Sequence, residues 1–190
     1  YRALTVLVLA RGVDPDDAET LGDLAERAHI DIVPPTVHDG RQYTVLLDGR
    51  DITGKLRTPE VEATISAVAR HPRVRRAMRE RQRALAPSSG VVMVGRDIGT
   101  VVLPDADLKV FLMVSVDERA RRRHSDLVAT QGAAAPTFEQ VRADLARRDE
   151  LDAAQMHPAA DAVTMHTDAL QADEVVAWIA ERIERLYDRA

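Results

Sequence analysis

The sequence contains no cysteine, which removes disulfide frameworks and thiolate chemistry from consideration and fits a cytoplasmic protein. Lysine is nearly absent too: Lys55 and Lys109 stand against 24 arginines. No apolar run is long enough to cross a bilayer. The one near the start, ALTVLVLA over residues 3–10, falls far short of the roughly 20 residues a spanning helix needs. Nor is there a surplus of positive charge. The net charge of −5 argues against a protein that lives on nucleic acid or on an anionic membrane. Histidines 29, 38, 71, 124, 157 and 166 form no i, i+4 pair, so no metal site is expected. There is no nucleophile elbow and no Ser-His-Asp pattern. The chain opens Tyr1-Arg2 with no leader and no initiator methionine, and Tyr1 is read as a processed end or the edge of a fragment.

What remains is an Arg-rich globule of 190 residues, long enough to bury roughly two-thirds of its unfolded surface. The planar five-donor fork of arginine grips phosphate and carboxylate bidentately, so an Arg-dominated cationic set suits phosphate handling. A genome that favours Arg codons would leave the same imprint.

Residues 1–11 read as the tail of a helix with Leu4, Leu7 and Val8 on one face. Asp14-Pro15 reads as a helix start, with Leu21, Leu24, Ala25 and Ala28 at helical spacing after it. Three extended runs follow (30–38, 41–47 and 50–53), punctuated by Asp39-Gly40 and Asp48-Gly49, and they predict a small antiparallel meander. Thr58-Pro59 opens a helix with Val61, Ile65 and Val68 on one face. His71-Pro72 opens the next, carrying Val74, Met78 and Leu85. Residues 87–90 read as a turn. The continuous apolar runs 91–94 and 108–114 are expected to be buried parallel strands. Capping boxes at Ser115–Glu118 and Thr137–Gln140 open two helices around a Gly/Ala-rich loop at 131–136. Residues 162–165 suggest a further strand. A final helix near 171–187 repeats Val175, Val176, Ile179, Ile183 and Leu186. The alternation from residue 91 onward predicts an α/β fold with the meander as an all-β insert.

Ligands of open α/β sheets gather beyond the carboxyl ends of the strands. Arg96 and Asp97 follow the run 91–94 and so fall there, bracketed by Gly95 and Gly99. Those glycines let the backbone turn and allow close approach. The pair could be a solvated strand end, or a phosphate-holding fork beside a carboxylate. Seven arginines lie between 70 and 83, and most are expected on a solvated helix face, with Arg75 and Arg79 one turn apart. Arg119, Arg121, Arg122 and Arg123, with Arg147 and Arg148, sit on the two helices flanking the 131–136 loop. That arrangement suits a lid closing over anionic groups, although charge runs are more often solvent faces.

The stretch GRDIGTVVLPDADLKVFLMVSVDERARRR resembles the cytidylate (CMP) kinases. Their sequences carry GRD-I/M-GTVVFPDA, a K-I/V-FL strand and an ERA-x-RR helix. Tyr1-Arg2 resembles the end of the family's D-S/T-GA-x-YR motif. LDGRDITGKLRTPEV, ISAVARHPRVRRAMRERQR, FEQVRADLARRDELD and PAADAV continue the likeness to about Val176. The resemblance implies a P-loop-kinase-like parallel sheet flanked by helices, in a single domain over 1–190. Within it, 30–86 would be an NMP-binding insert, 91–114 core strands, 115–155 a helical lid, and 160–190 a closing strand and helix. It implies transfer of the ATP γ-phosphoryl group to CMP or dCMP, with Mg2+ and ATP as cofactor and co-substrate. It also implies a cytoplasmic monomer without nucleic-acid or membrane partners. By the same resemblance Tyr1, Arg2 and Arg96 belong to the substrate phosphate site, and Ser66, Arg75 and Asp97 to the cytosine edge. Asp152 would meet the ribose hydroxyl, and Arg122 and Arg148 would neutralise charge on the phosphoryl group in flight, with Asp97 beside them.

Two departures stand out. The chain has no G-x-x-x-x-G-K-S/T motif, which the family places about 30 residues ahead of its Tyr-Arg pair. The central P-loop strand is therefore expected to be absent, and a chain confined to these residues is expected to be inactive without it. Gln155 stands where the family has a further arginine, in a shortened stretch. The alternative is a kinase remnant acting as a nucleotide-binding or scaffold protein.

Overall fold

The computed structural model describes residues 1–86, 90–153 and 156–188. It divides into two compact units, Tyr1–Val91 and Val92–Ala190. The expected turn at 87–90 falls largely outside the described residues.

The first unit is built on helix α1, Arg2–Arg11, in which every residue from Ala3 to Val8 is buried. A helix apolar on all sides has no solvent face, so it becomes the centre of its unit rather than a wall of it. Gly12, at φ 62, ends it in the left-handed conformation, and its N–H and that of Val13 bond back to Leu9 and Val8 carbonyls. Val13 then packs on the core, as this C-cap geometry favours.

Helix α2, Ala18–Arg27, starts three residues later than the Asp14-Pro15 signal suggests. Asp14 accepts from the Asp16 N–H in a local turn. Asp17 is the N-cap and accepts from Thr20 N at 3.1 Å. Strands β1 (Ile30–Val33), β2 (Thr44–Leu47) and β3 (Arg50–Asp51) form the expected antiparallel meander in the order β1-β2-β3. Leu47 pairs with Arg50 across Asp48 (φ 49) and Gly49 (φ 76), the two left-handed residues that a tight type I′ hairpin requires.

Helices α3 (Pro59–Ala69) and α4 (Pro72–Ala84) complete this unit, each with proline in its first turn. Val61, Val68, Val74 and Met78 are buried as expected, whereas Leu85 is exposed just past the end of α4. The arginines of α4 are not merely a solvated face. Arg73 reaches Asp23 and Glu26 of α2, each at 2.6 Å. Arg81 donates to the Ala25 and Glu26 carbonyls at 3.3 and 2.9 Å, satisfying acceptors that the end of α2 leaves open. Gly22 permits this, because a side chain there would collide with the Arg73 stem.

The second unit has a parallel pair, β4 (Val110–Met113) and β5 (Val163–His166), with Val110 opposite Val163 and Met113 opposite His166. Helices α5 (Val116–Gln131) and α6 (Phe138–Asp152) connect them, and α7 (Ala172–Tyr187) follows. Thr137 and Gln140 complete their capping box. Ser115 caps α5 by accepting from Glu118 N at 3.2 Å, but the Glu118 carboxylate turns to Arg121 and Arg122 instead of closing the box.

Three expectations fail here. Residues 91–94 form no strand: no described strand pairs with them, and Val92 and Val94 are 84% and 92% exposed. An extended segment without a ladder has nothing to bury its valines against. The apolar stripe of α7 is at most half-buried, with Val176 64% exposed. The glycines bracketing Arg96-Asp97 have no positive φ. They serve close packing on the chain itself, Gly95 against Ile98 and Gly99 against the Lys109 stem.

Asp51 ties the meander's polar edge together. Its carboxylate accepts from Thr53 N at 2.8 Å and from Arg41 Nη1 at 2.6 Å. The Thr53 bonds, and then Arg41, hold its pKa at about 2 against an ordinary 3.8. A depressed carboxyl stabilises the fold above its unfolded pKa and loses that contribution as pH falls through the folded value. The meander's acid sensitivity therefore lies between pH 3.8 and about 2. Asp51→Asn should flatten this limb in urea-unfolding midpoints followed across that window, while leaving the difference between wild type and variant constant above it.

Candidate active site

The expected site residues fall into two groups, one in each unit. In the first unit, Arg2 opens α1 and its Nη1 donates to the Leu56 carbonyl at 2.9 Å and to Glu62 Oε1 at 2.7 Å. Glu62 lies in the first turn of α3, so the guanidinium is oriented by a neighbouring element while its side chain stays 37% exposed. A fork held on one side and open on the other can receive an anion with little further loss of rotamer freedom. Tyr1 is half-buried and packs on the core. Ser66 is exposed on α3, and Arg75 is half-buried on α4.

Arg79, one turn beyond Arg75 and on the same face, has a buried Nε without a hydrogen-bond partner. An orphaned donor of this kind costs free energy, and nothing else in this unit explains it.

In the second unit, Asp97 is half-buried at the head of a π-helical turn, Ile98–Val102. Its carbonyl accepts from Val101 N and Val102 N at 2.9 and 3.2 Å, so the backbone of this residue is fixed by its own turn. π-turns recur at functional sites. Arg96 beside it is exposed. Helices α5 and α6 are held together by Arg119, whose two Nη groups meet both carboxylate oxygens of Asp149, the Oδ1 contact at 2.8 Å. Arg142 pairs with Asp117 across the same interface, and His124 meets Phe138 edge-on at 6.3 Å. The Arg119 bonds hold the Asp149 carboxyl below its usual range, and the nearby charge of Arg96 lowers it further.

Arg122, expected to act on the transferred phosphoryl group, is engaged locally. Its Nε donates to Glu118 at 2.8 Å, and one Nη to the carbonyls of Thr167 and Leu170 at 2.7 and 3.2 Å. Arg148 is exposed on α6. Asp152 closes α6, but its side chain lies outside the described residues, as does Gln155 entirely. The structure thus brings Arg96 within electrostatic reach of Asp149, the neighbour of Arg148, and stations Arg122 at the end of β5.

From the sequence, Arg119 is one member of a charge cluster and Glu118 a capping-box residue, and Asp149 does not stand out. No local signal separates Arg119 from the arginines beside it, or marks Asp149, thirty residues on, as its partner.

A protein-family model described as cytidylate kinase matches residues 1–185. The chain belongs to the cytidylate kinase family. A cytidylate kinase of Chloroflexus aggregans is 50% identical over 182 residues, covering 96% of this chain and 78% of that protein. That of Roseiflexus castenholzii is 49% identical over 184 residues with the same coverages. That of Geobacillus kaustophilus is 45% identical over 185 residues, covering 95% and 80%. Family membership accounts for the pair of parallel strands and the small antiparallel sheet, and it makes the chain an ATP-dependent phosphotransferase.

The orphaned donor of Arg79 gives a stability test. Arg79→Met keeps the apolar stem and removes the unsatisfied Nε. It should raise the unfolding free energy by about 1 kcal/mol, read as a higher midpoint at unchanged slope in urea.

Proposed function

We propose that this protein is an ATP-dependent nucleoside monophosphate kinase that converts CMP and dCMP to CDP and dCDP. The match to the cytidylate kinase family across residues 1–185 carries this reading. The same match disfavours the scaffold alternative.

In this reading a phosphate oxygen of CMP forms a bond to the γ-phosphorus of ATP while the bond to the β,γ-bridging oxygen breaks. The electron pair leaves with ADP. The transition state spreads negative charge over the transferred group, so the protein's task is positioning and charge neutralisation. Arg2, with Tyr1 at its side, and Arg96 hold the CMP phosphate, the first already oriented by Glu62. Ser66, Arg75 and Asp97 read the cytosine edge, and Asp152 the ribose. Arg148 and Arg122 meet the phosphoryl group. Arg122 can do so by giving up the neutral carbonyls of Thr167 and Leu170 for phosphate oxygens, since charge-assisted bonds are roughly twice as strong as neutral ones.

Among the described residues no group of three or more His, Cys, Asp or Glu side chains could hold a metal ion. Mg2+ would arrive with the ATP phosphates, as is usual for an ion that keeps most of its waters. Residues 30–86 serve as the NMP-binding insert and 115–155 as lid, with 160–190 closing the domain. The protein works as a cytoplasmic monomer without nucleic-acid or membrane partners. The acidic balance of −5 argues against nucleic acid and anionic membrane as partners; no described helix is long and apolar enough to cross a membrane.

The deciding experiment is ADP release by the full-length gene product with CMP and Mg·ATP. No phosphorylation of CMP would sink the reading. In the same assay Arg122→Ala and Arg148→Ala should each lower kcat/KM by about 10³-fold or more, as loss of a charge-neutralising arginine does in phosphoryl transfer.

A further inference from the structure

Helices α5 and α6 meet over little apolar surface. Ala120 and Val141 are their only buried apolar residues among those described. Between two helices of 16 and 15 residues, so small a core cannot fix rotation and register, and directed polar contacts must do so. One of them is the bidentate pair of Arg119 with Asp149, in which two Nη groups meet the two carboxylate oxygens. This geometry specifies orientation as well as distance.

Its location is what makes it informative. Arg119 lies one turn before Arg122 on α5, and Asp149 follows Arg148 on α6. The clamp therefore fixes the two helical turns that carry the arginines assigned to the phosphoryl group. Asp149 also feels the charge of Arg96, the arginine assigned to the substrate phosphate. One carboxylate thus stands between a lid cation and a substrate cation.

We infer that Asp149, through its bidentate pair with Arg119, is a positioning residue for the phosphoryl transfer, setting Arg148 and Arg122 against the reacting group. This rests on the kinase reading above. Asp149 touches no substrate in this role. It acts through the arginines, so its loss belongs in kcat rather than in nucleotide binding.

The test is steady-state kinetics of the full-length gene product with CMP and Mg·ATP, in a double-mutant cycle of Arg119→Met and Asp149→Asn. A displacement of about 1 Å in a positioned group can cost roughly 10²-fold, so each single variant should lose about 10- to 100-fold in kcat. KM for CMP and for ATP should stay within about threefold, the signature of an interaction made only in the transition state. The double variant should be no slower than the worse single one, because the two residues act as a unit. Asp149→Glu, which keeps the carboxylate, should recover part of the loss.

Unchanged kcat in Asp149→Asn would overturn the inference. So would additive losses in the cycle, or KM rising as far as kcat falls together with a lowered thermal midpoint. That last pattern would make the pair a fastener of the lid only. If wild type itself does not phosphorylate CMP, the kinase reading has failed instead, and the two failures remain distinct.

Discussion

A guanidinium is charged at every pH at which this protein folds, and it presents five donors in a rigid fork. With 24 arginines and two lysines, the chain must find planar acceptors for forks that no titration can silence. Much of its architecture follows from where those acceptors lie. Arg73 and Arg81 take side-chain and main-chain oxygens of α2, and this decides how α4 lies on its neighbour. Arg2 takes Glu62 and the Leu56 carbonyl, which ties the head of α1 to the head of α3. Arg119 takes Asp149, and Arg122 takes Glu118 with two carbonyls beyond β5.

The two units use this demand differently. The first has a contiguous core from Ala3 through Met78 around α1, so hydrophobic burial supplies its stability and the arginine contacts only orient its surface. In the second, the buried apolar residues are Val102, Ala120, Val141 and Met165 among those described. Exposed ion pairs contribute about 0–1 kcal/mol each and cannot replace a core. Their value lies in geometry. A helix pair held by directed contacts over a thin apolar seam belongs to the low-stability end of a structure, where moving elements are found.

Sequence legibility follows the same division. The Asp48-Gly49 hairpin, the Pro59 and Pro72 helix starts and the Thr137 box were legible because each depends on residues within a few positions of one another. The start of α2 was misplaced by three residues because Asp14 and Asp17 offer the same local chemistry, and only the N–H each one meets separates them. The α4 arginines read as a solvent face, since periodicity does not reveal acceptors on α2 some 50 residues away. Residues 91–94 carry every mark of a buried strand, yet a strand is defined by its ladder, and no described strand supplies one. For the site, the family likeness of the motif around Arg96 and Asp97 was legible, but the packing of its glycines on Ile98 and Lys109 was not. The Arg119–Asp149 clamp was not, because within a run of arginines nothing local distinguishes the one that is paired across helices.

The position of Arg122 sharpens what the proposed lid must do. Its Nε and one Nη are held by a carboxylate and two neutral carbonyls, so reaching a phosphoryl group means trading the carbonyls while keeping Glu118. Such a trade needs a pivot that does not move with the guanidinium. Arg119, one turn earlier and locked to Asp149, is placed to be that pivot. The turn can then stay registered while its outer arginine changes partners. An anion that neutralises Arg96 also removes a positive charge that acts on Asp149, whose bidentate contact with Arg119 remains. In the proposed kinase, substrate binding would in this way bear directly on the contact that positions Arg122 and Arg148, without any segment between them having to refold.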